Sequence, residues 1–205
     1  MKKIVTALSL LAISLSSFAQ LEKGEEDMKG KFRQDNIFIG GSIGLSIGGG
    51  YGGGFQVGGN PEVGYTIANW LDAGISGNIN YFSSKAENNY GERLRSTTTG
   101  GGAFVRIHPI RNVFLQAQPE YNWITTKVRN YNYNPAIDTK YKQEAPSLLL
   151  GVGYGTRVVG ASSFFTVLMF DVGNNLASPY ITADHSRLPI LRSGFTVYLK
   201  PKKQK

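Results

Sequence analysis

Between residues 55 and 81 apolar and polar positions alternate with a period of two. Phe55, Val57, Val63, Tyr65 and Ile67 occupy odd positions, against Gln56, Gly58, Asn60, Glu62, Gly64 and Thr66 on even ones. After a break at Ala68, Asn69 and Trp70 the same parity resumes, with Leu71, Ala73, Ile75, Ile79 and Tyr81 against Asp72, Gly74, Ser76, Asn78 and Asn80. Side chains of a strand point alternately to opposite faces, so this stretch predicts two strands of one sheet joined by a tight turn.

The rest of the chain repeats the unit. Strands are expected at about 36–47, 96–107, 113–125, 147–156, 162–172 and 190–199, which with the first two makes eight. In 36–47, Ile37, Ile39, Ile43, Leu45 and Ile47 oppose Phe38, Gly40, Ser42, Gly44 and Ser46; in 113–125, Val113, Leu115, Ala117, Tyr121 and Trp123 oppose Gln116, Gln118, Glu120 and Asn122. The segment 162–172 is apolar on both sides, so its facing cannot be read. The connections alternate in kind. Those at 68–70, 108–112 and 157–161 are short, those beginning at Ser83, Thr126 and Gly173 are long, and the longest loop is expected at 126–144. The glycine-rich 48–54 is read as a reversal, because it lacks the Lys-Ser/Thr and following helix of a phosphate loop.

Short turns alternating with long loops are the wiring of an up-and-down barrel in a membrane, and each strand has the length a tilted strand needs to cross the hydrocarbon. The class is therefore all-β, an eight-stranded antiparallel transmembrane β-barrel. Alternation does not say which face points outward, and a soluble calyx of the lipocalin type has the same period with its apolar face inside. Two features favour lipid outside. The polar faces are rich in Gly, Ser, Asn, Gln and Thr, which would make no apolar core, and Tyr65, Trp70, Tyr81, Trp123 and Tyr154 fall near strand ends as interfacial aromatics do. The apolar faces carry no charge away from their edges, and an Arg or Lys facing mid-bilayer lipid would cost about 2–4 kcal/mol.

The chain begins with Met1, Lys2 and Lys3, an apolar run over 4–15, and then Ser17, Phe18 and Ala19. This reads as a secretory signal peptide, 1–19, with an apolar run too short to be an anchor. A charged segment without alternation, 20–35, is expected as a flexible periplasmic lead-in, followed by the barrel at 36–199 and a basic tail at 200–205. There is no cysteine, which excludes disulfides and thiolate metal sites. The formal net charge of +8 includes Lys2 and Lys3, so the chain after cleavage carries +6. That mild excess makes anionic lipid headgroups reasonable neighbours, but its scatter through loops and tail argues against nucleic acid.

Several segments carry a resemblance. Asn60-Pro61-Glu62-Val63-Gly64-Tyr65 is followed by Asn69-Trp70-Leu71-Asp72-Ala73-Gly74 and echoed by Gln118-Pro119-Glu120-Tyr121-Asn122-Trp123. Near the end stand Leu168-Met169-Phe170-Asp171-Val172, Ser178-Pro179-Tyr180 and Pro189-Ile190-Leu191-Arg192-Ser193-Gly194-Phe195. Together they resemble the small outer-membrane β-barrel proteins common in Bacteroidetes, which implies an outer-membrane location and a monomeric eight-stranded barrel and says little about activity. Arg192, Gly194, Val197 and Leu199 resemble the signal read by the barrel-assembly machinery, with Leu199 where an aromatic residue is usual.

Glu62, Glu120 and Arg192 fall on the inner face at mid-strand, and Asp72 and Arg106 lie near the turn ends of neighbouring strands. Buried charges need partners, so Asp72 is expected near Arg106, and Glu62, Glu120 and Arg192 as one lumenal ion network. Two facing carboxylates also suit glycosidase chemistry, but a lumen this narrow favours a structural network. Asp184-His185-Ser186 holds the residue types of a hydrolase triad, though triads are assembled from separated segments. His108 is read as a turn residue, and Tyr131, Tyr133 and Tyr141 as exposed loop aromatics able to meet a ligand. The reading is thus a non-enzymatic outer-membrane protein without cofactor or metal, structural or interactive through its outward loops. Its partners are outer-membrane lipids, the assembly machinery during insertion and an extracellular ligand at 126–144. A lipid-modifying enzyme using His185 and a narrow pore are the alternatives.

Overall fold

The structure, a computed structural model, describes residues 33–48, 54–85, 92–133, 135–181 and 185–199. The expected signal peptide 1–19, most of the lead-in 20–35, the interior of the 48–54 reversal and the tail 200–205 lie outside the described residues. After a 3-10 turn at Gln34–Asn36 come eight strands: β1 (Ile37–Gly48), β2 (Gly54–Ala68), β3 (Leu71–Lys85), β4 (Glu92–Ile110), β5 (Val113–Asn130), β6 (Ile137–Gly155), β7 (Ser163–Asp171) and β8 (Ile190–Tyr198). Each pairs antiparallel with the next, and β8 returns to β1 from Phe38 opposite Tyr198 to Ser46 opposite Ile190, closing the barrel. Closure leaves no β1 or β8 edge to template association.

The alternation holds with the apolar side outward. Ile75 is 66% exposed and Leu150 44%, whereas Asn78 is 2% and Gln118 1% exposed. Ile39 and Val63 are likewise exposed and Asn60 buried. A calyx with an apolar interior is excluded by this arrangement.

The structure corrects three boundaries. Among the described residues, 83–85, 92–95, 126–130 and 137–144, read as parts of loops, are strand: Ser83 pairs with Arg95, and Thr126 to Asn130 pair with Tyr141 to Ile137. These residues are polar on both faces, so no period of two marks them, and the sheet simply continues where neither side meets lipid. β4 also runs on through His108 to Ile110 before the turn at 111–112. With 19 residues each, β4 and β6 reach about 65 Å along the strand, far more than a tilted strand needs to cross hydrocarbon.

The facing of β7, unreadable from composition, is decided by register. Phe165, Val167, Met169 and Asp171 point inward, and Phe164, Thr166, Leu168 and Phe170 outward. Inside, Phe165, Val167 and Met169 form one cluster with Phe114, Leu149, Ile190 and Tyr180, while Phe38, Phe104 and Tyr198 form a second. The larger apolar cluster lies mainly along β6–β8, joined by Phe114 of β5, and most of the buried amides and carboxylates lie along β2–β5. Inward glycines make room for the rings: a Cβ at Gly64 would collide with Phe38, and one at Gly153 with Phe114.

Gly102 is different in kind, since a Cβ there would run into the backbone carbonyl of Pro119 on β5, which cannot swing aside as a ring can. Gly102→Val should lower the urea midpoint of the folded barrel, followed as the heat-modifiable band in micelles, by the equivalent of about 1–3 kcal/mol. Gly59→Ala, with open space around its Cβ, should change it by less than about 0.5 kcal/mol.

Candidate functional site

The chemistry-bearing side chains converge in the lumen, because alternation sends Glu62, Asp72, Arg106, Glu120 and Arg192 to the same side of the wall. Glu62 on β2 and Arg106 on β4 are joined across the intervening β3, whose inward residues at that level, Gly74 and Ser76, are small. The pair is bidentate: Arg106 Nη1 donates to Glu62 Oε1 at 2.9 Å and Nη2 to Oε2 at 2.6 Å. The guanidinium also stacks, its carbon 4.6 Å from the Phe104 ring centre and 4.5 Å from that of Phe165.

From Arg106 a continuous network crosses the barrel. Arg106 Nε donates to Gln116 Oε1 at 2.8 Å, Gln116 Nε2 to Gln118 Oε1 at 2.6 Å, and Gln118 Nε2 to Glu120 Oε1 at 2.7 Å. Glu120 is the hub. It also accepts from Arg192 Nη2 at 3.1 Å, Asn78 Nδ2 at 3.1 Å and the Tyr180 hydroxyl at 2.8 Å. Asn78 continues to Asn122, Asn122 to Ser147, and Ser147 to Ser178, whose hydroxyl donates to Asp171. Most members are polar side chains at inward strand positions, joined one to the next by side-chain hydrogen bonds.

Tyr180 and Ser178 come from the β7–β8 connection, 172–189, which the sequence presents only as a loop. Its described residues turn inward at Ser178, Tyr180 and Leu188, which are buried, Tyr180 wholly so. Nothing in the local pattern marks this plug. The nearest signal was Ser178-Pro179-Tyr180 itself, a rigid turn carrying an amphipathic ring.

At the turn end lies a second, smaller group. Asp72 stands directly opposite Arg106 in the sheet register, yet its ion pair is with Arg157 of the β6–β7 connection, Nη2 to Oδ1 at 2.8 Å. Arg157 also donates to the carbonyl of Ala68 at 3.2 Å and contacts His108 Nδ1. Burial lowers the pKa of Arg157 from its ordinary value, and the Asp72 charge opposes that shift. His108 is therefore not a turn residue but a lumenal one, 3.8 Å from Asp72 and 5.4 Å from the Phe114 ring. These residues, with Phe38, Arg106 and Tyr198, line a cavity of about 30 Å³, room for one or two waters.

The expected lumenal charges thus group differently from the expected pair and trio. Glu62, Arg106, Glu120 and Arg192 share the long chain of hydrogen bonds, but as two pairs, Glu62 with Arg106 and Glu120 with Arg192. Asp72 does stand beside Arg106, as expected, but the ion pair it makes is with Arg157. An Arg side chain reaches across a narrow lumen as easily as along the wall, so sheet neighbourhood does not fix the pairing. Of the assembly-signal residues, Arg192 and Gly194 face the lumen, and Val197 and Leu199 face out. His185 sits exposed with φ 63°, and Asp184 lies outside the described residues. Among the described residues no group of His, Asp and Glu could hold a metal ion.

No protein-family model and no curated protein matches the chain. Among solved structures it is similar to Neisserial surface protein A, with a TM-score of 0.47 and 12% identity over 80% of this chain and 97% of that one. It is similar to CarO of Acinetobacter baumannii at 0.47 and 10%, over 78% and 96%. A third is Ail, the attachment invasion locus protein of Yersinia pestis, at 0.44 and 13%, over 78% and 94%. Such distant likenesses carry no argument about binding or activity, and the narrower resemblance to proteins of Bacteroidetes finds no support among them.

Removing one member of the buried Glu120–Arg192 pair leaves the other charged and uncompensated. Arg192→Met alone should cost about 3–5 kcal/mol of barrel stability in urea titration, while Glu120→Gln combined with Arg192→Met should recover most of it. Equal losses in the single and double variants would show that the pair is not coupled.

Proposed function

We propose that this chain is an integral outer-membrane barrel, closed by its own side chains, that acts through the strands and loops it projects from one end and catalyses no reaction. The observation that carries the reading is the inverted partition: a girdle of exposed Ile, Leu, Val and Phe around a lumen of buried, paired charges. Water would penalise that girdle over its whole height, whereas acyl chains would not. The turns at 69–70, 111–112 and 156–162 share one end and are assigned to the periplasm, which puts the long β4–β5–β6 extension outside. Outer-membrane lipid is then the permanent neighbour, and the assembly machinery the transient one, reading Arg192, Gly194, Val197 and Leu199 before β8 closes on β1. A monomer is the expected state.

At the tip of the extension Tyr131 and Tyr133 are exposed, with Arg129 stacked 5.4 Å from the Tyr131 ring centre, and Tyr141 is exposed lower on β6. Amphipathic rings presented on a β-hairpin suit contact with a glycan or protein surface. A narrow pore is the second reading. It is favoured by Gln56, Asn60 and Asn80, each of which has a buried side-chain polar atom without a protein partner on the side of the lumen opposite the apolar cluster. The tightly bonded Glu120, Arg192 and Tyr180 stand in its way.

Membrane fractionation with a heat-modifiability gel should place the protein in the outer membrane, migrating faster unheated than boiled; recovery from the soluble periplasm would remove the membrane reading. In planar bilayers the wild type should give no steady conductance. Long-lived openings would favour the pore. Altered lipid A or phospholipid chemistry that depends on His185 would favour the enzyme instead.

A further inference from the structure

Beyond lipid contact in general, the register of the extended strands builds a site. On the outward face of β5 the residues run Leu115, Ala117, Pro119, Tyr121, Trp123, Thr125, Lys127 and Arg129, which passes from apolar through aromatic to basic. Tyr121 and Trp123 pack edge to face at 5.4 Å, and the Tyr121 hydroxyl donates to Glu144 at 2.6 Å, marking the interface. Two rows further out, Lys127 stands directly opposite Arg95 on β4 and Lys140 on β6. All three are exposed on one face, like charges side by side in a single row that contains no acid on these strands.

The next row places Arg93 opposite Arg129, and Arg129 opposite Asp138 at 3.6 Å; Lys142 borders the patch below. Like charges directly across an antiparallel pair destabilise the sheet, and their Cβ atoms are only about 5 Å apart. A barrel gains nothing from that arrangement by itself. An anion lying across the row would reverse the sign of the interaction.

We infer that Arg95, Lys127 and Lys140 form a binding row for the phosphorylated headgroups of lipids in the outer leaflet, with Arg93, Arg129 and Lys142 at its margins. The inference rests on the membrane reading above. It commits to a lipid and not to soluble phosphate because the patch follows without a gap from the lipid-facing girdle. Long Lys and Arg side chains can lean back from it toward the interface while an acyl chain lies against the part of the girdle just below Tyr121. The spacing also suits a multiply phosphorylated headgroup, since adjacent strands are about 4.8 Å apart.

The test uses the full chain refolded into phosphatidylcholine vesicles that contain either a diphosphorylated glycolipid or its dephosphorylated counterpart with the same acyl chains. Insertion is read independently by heat-modifiability, and retained glycolipid by native mass spectrometry after mild detergent extraction. Wild type should retain the phosphorylated lipid at least about tenfold better than the dephosphorylated one. The triple variant R95Q/K127Q/K140Q should lose that preference while inserting as well as wild type, and R111Q, at the opposite rim, should keep it. Equal retention of the two lipids would overturn the inference, as would an unchanged preference in the triple variant. Inorganic phosphate binding as tightly in lipid-free micelles as the glycolipid would also overturn it. A chain that never inserts would refute the membrane reading itself, which the gel reports separately.

Discussion

Everything in this barrel depends on how charge is neutralised in a lumen that eight strands make only just wide enough for side chains. Alternation delivers Glu62, Asp72, Arg106, Glu120 and Arg192 to the interior, where bulk water cannot compensate them. Each has to find an opposite charge or several donors within reach. The result is two bidentate or multiply bonded carboxylates, Glu62 and Glu120, linked by Gln116 and Gln118. Such a network, followed on through Asn78, Asn122, Ser147 and Asp171, binds seven strands and one loop to each other through side chains, in addition to the backbone ladder.

The rest of the interior arranges itself around that network. Where β2–β5 fill one side with amides and carboxylates, β6–β8 supply glycines, Leu149, Val167 and Met169, so the polar chain is backed by a dry wall. Tyr180 joins the two, its ring in the apolar cluster and its hydroxyl on Glu120. At the turn end Arg157 plays the corresponding part. Its guanidinium ties the β6–β7 connection to Asp72 on β3 and to the Ala68 carbonyl. The β6–β7 connection thus supplies the partner of a wall carboxylate, and the β7–β8 connection adds hydroxyls to the charges of the wall.

The outer surface answers to a different solvent along its height. Branched aliphatic side chains surround the middle, aromatics follow at Tyr81, Tyr121 and Trp123, and the basic row lies beyond them. Strands β4, β5 and β6 are long because the sheet, once paired, continues in register past the girdle into a region where polar residues on both faces cost nothing.

Local sequence determined the elements that one solvent boundary marks. Wherever lipid-facing and lumen-facing positions differ in polarity, as in 55–67 and 113–123, the period of two identified the strand, its faces and the inward Glu62, Glu120 and Arg192. Where both faces meet the same surroundings the period vanishes. Hence the paired residues within 126–144 read as a loop, and 162–172 reads as a strand without a facing, which only registry with β6 and β8 supplies. Tertiary structure alone decided which charge meets which, because that depends on reach across the lumen and not on distance along the chain. Glu62 meets Arg106 past two small residues of β3, Asp72 is taken by an arginine 85 residues away, and a loop tyrosine closes on Glu120. Closing a sheet into a ring brings remote side chains face to face, and a pattern with a range of two residues cannot record which ones.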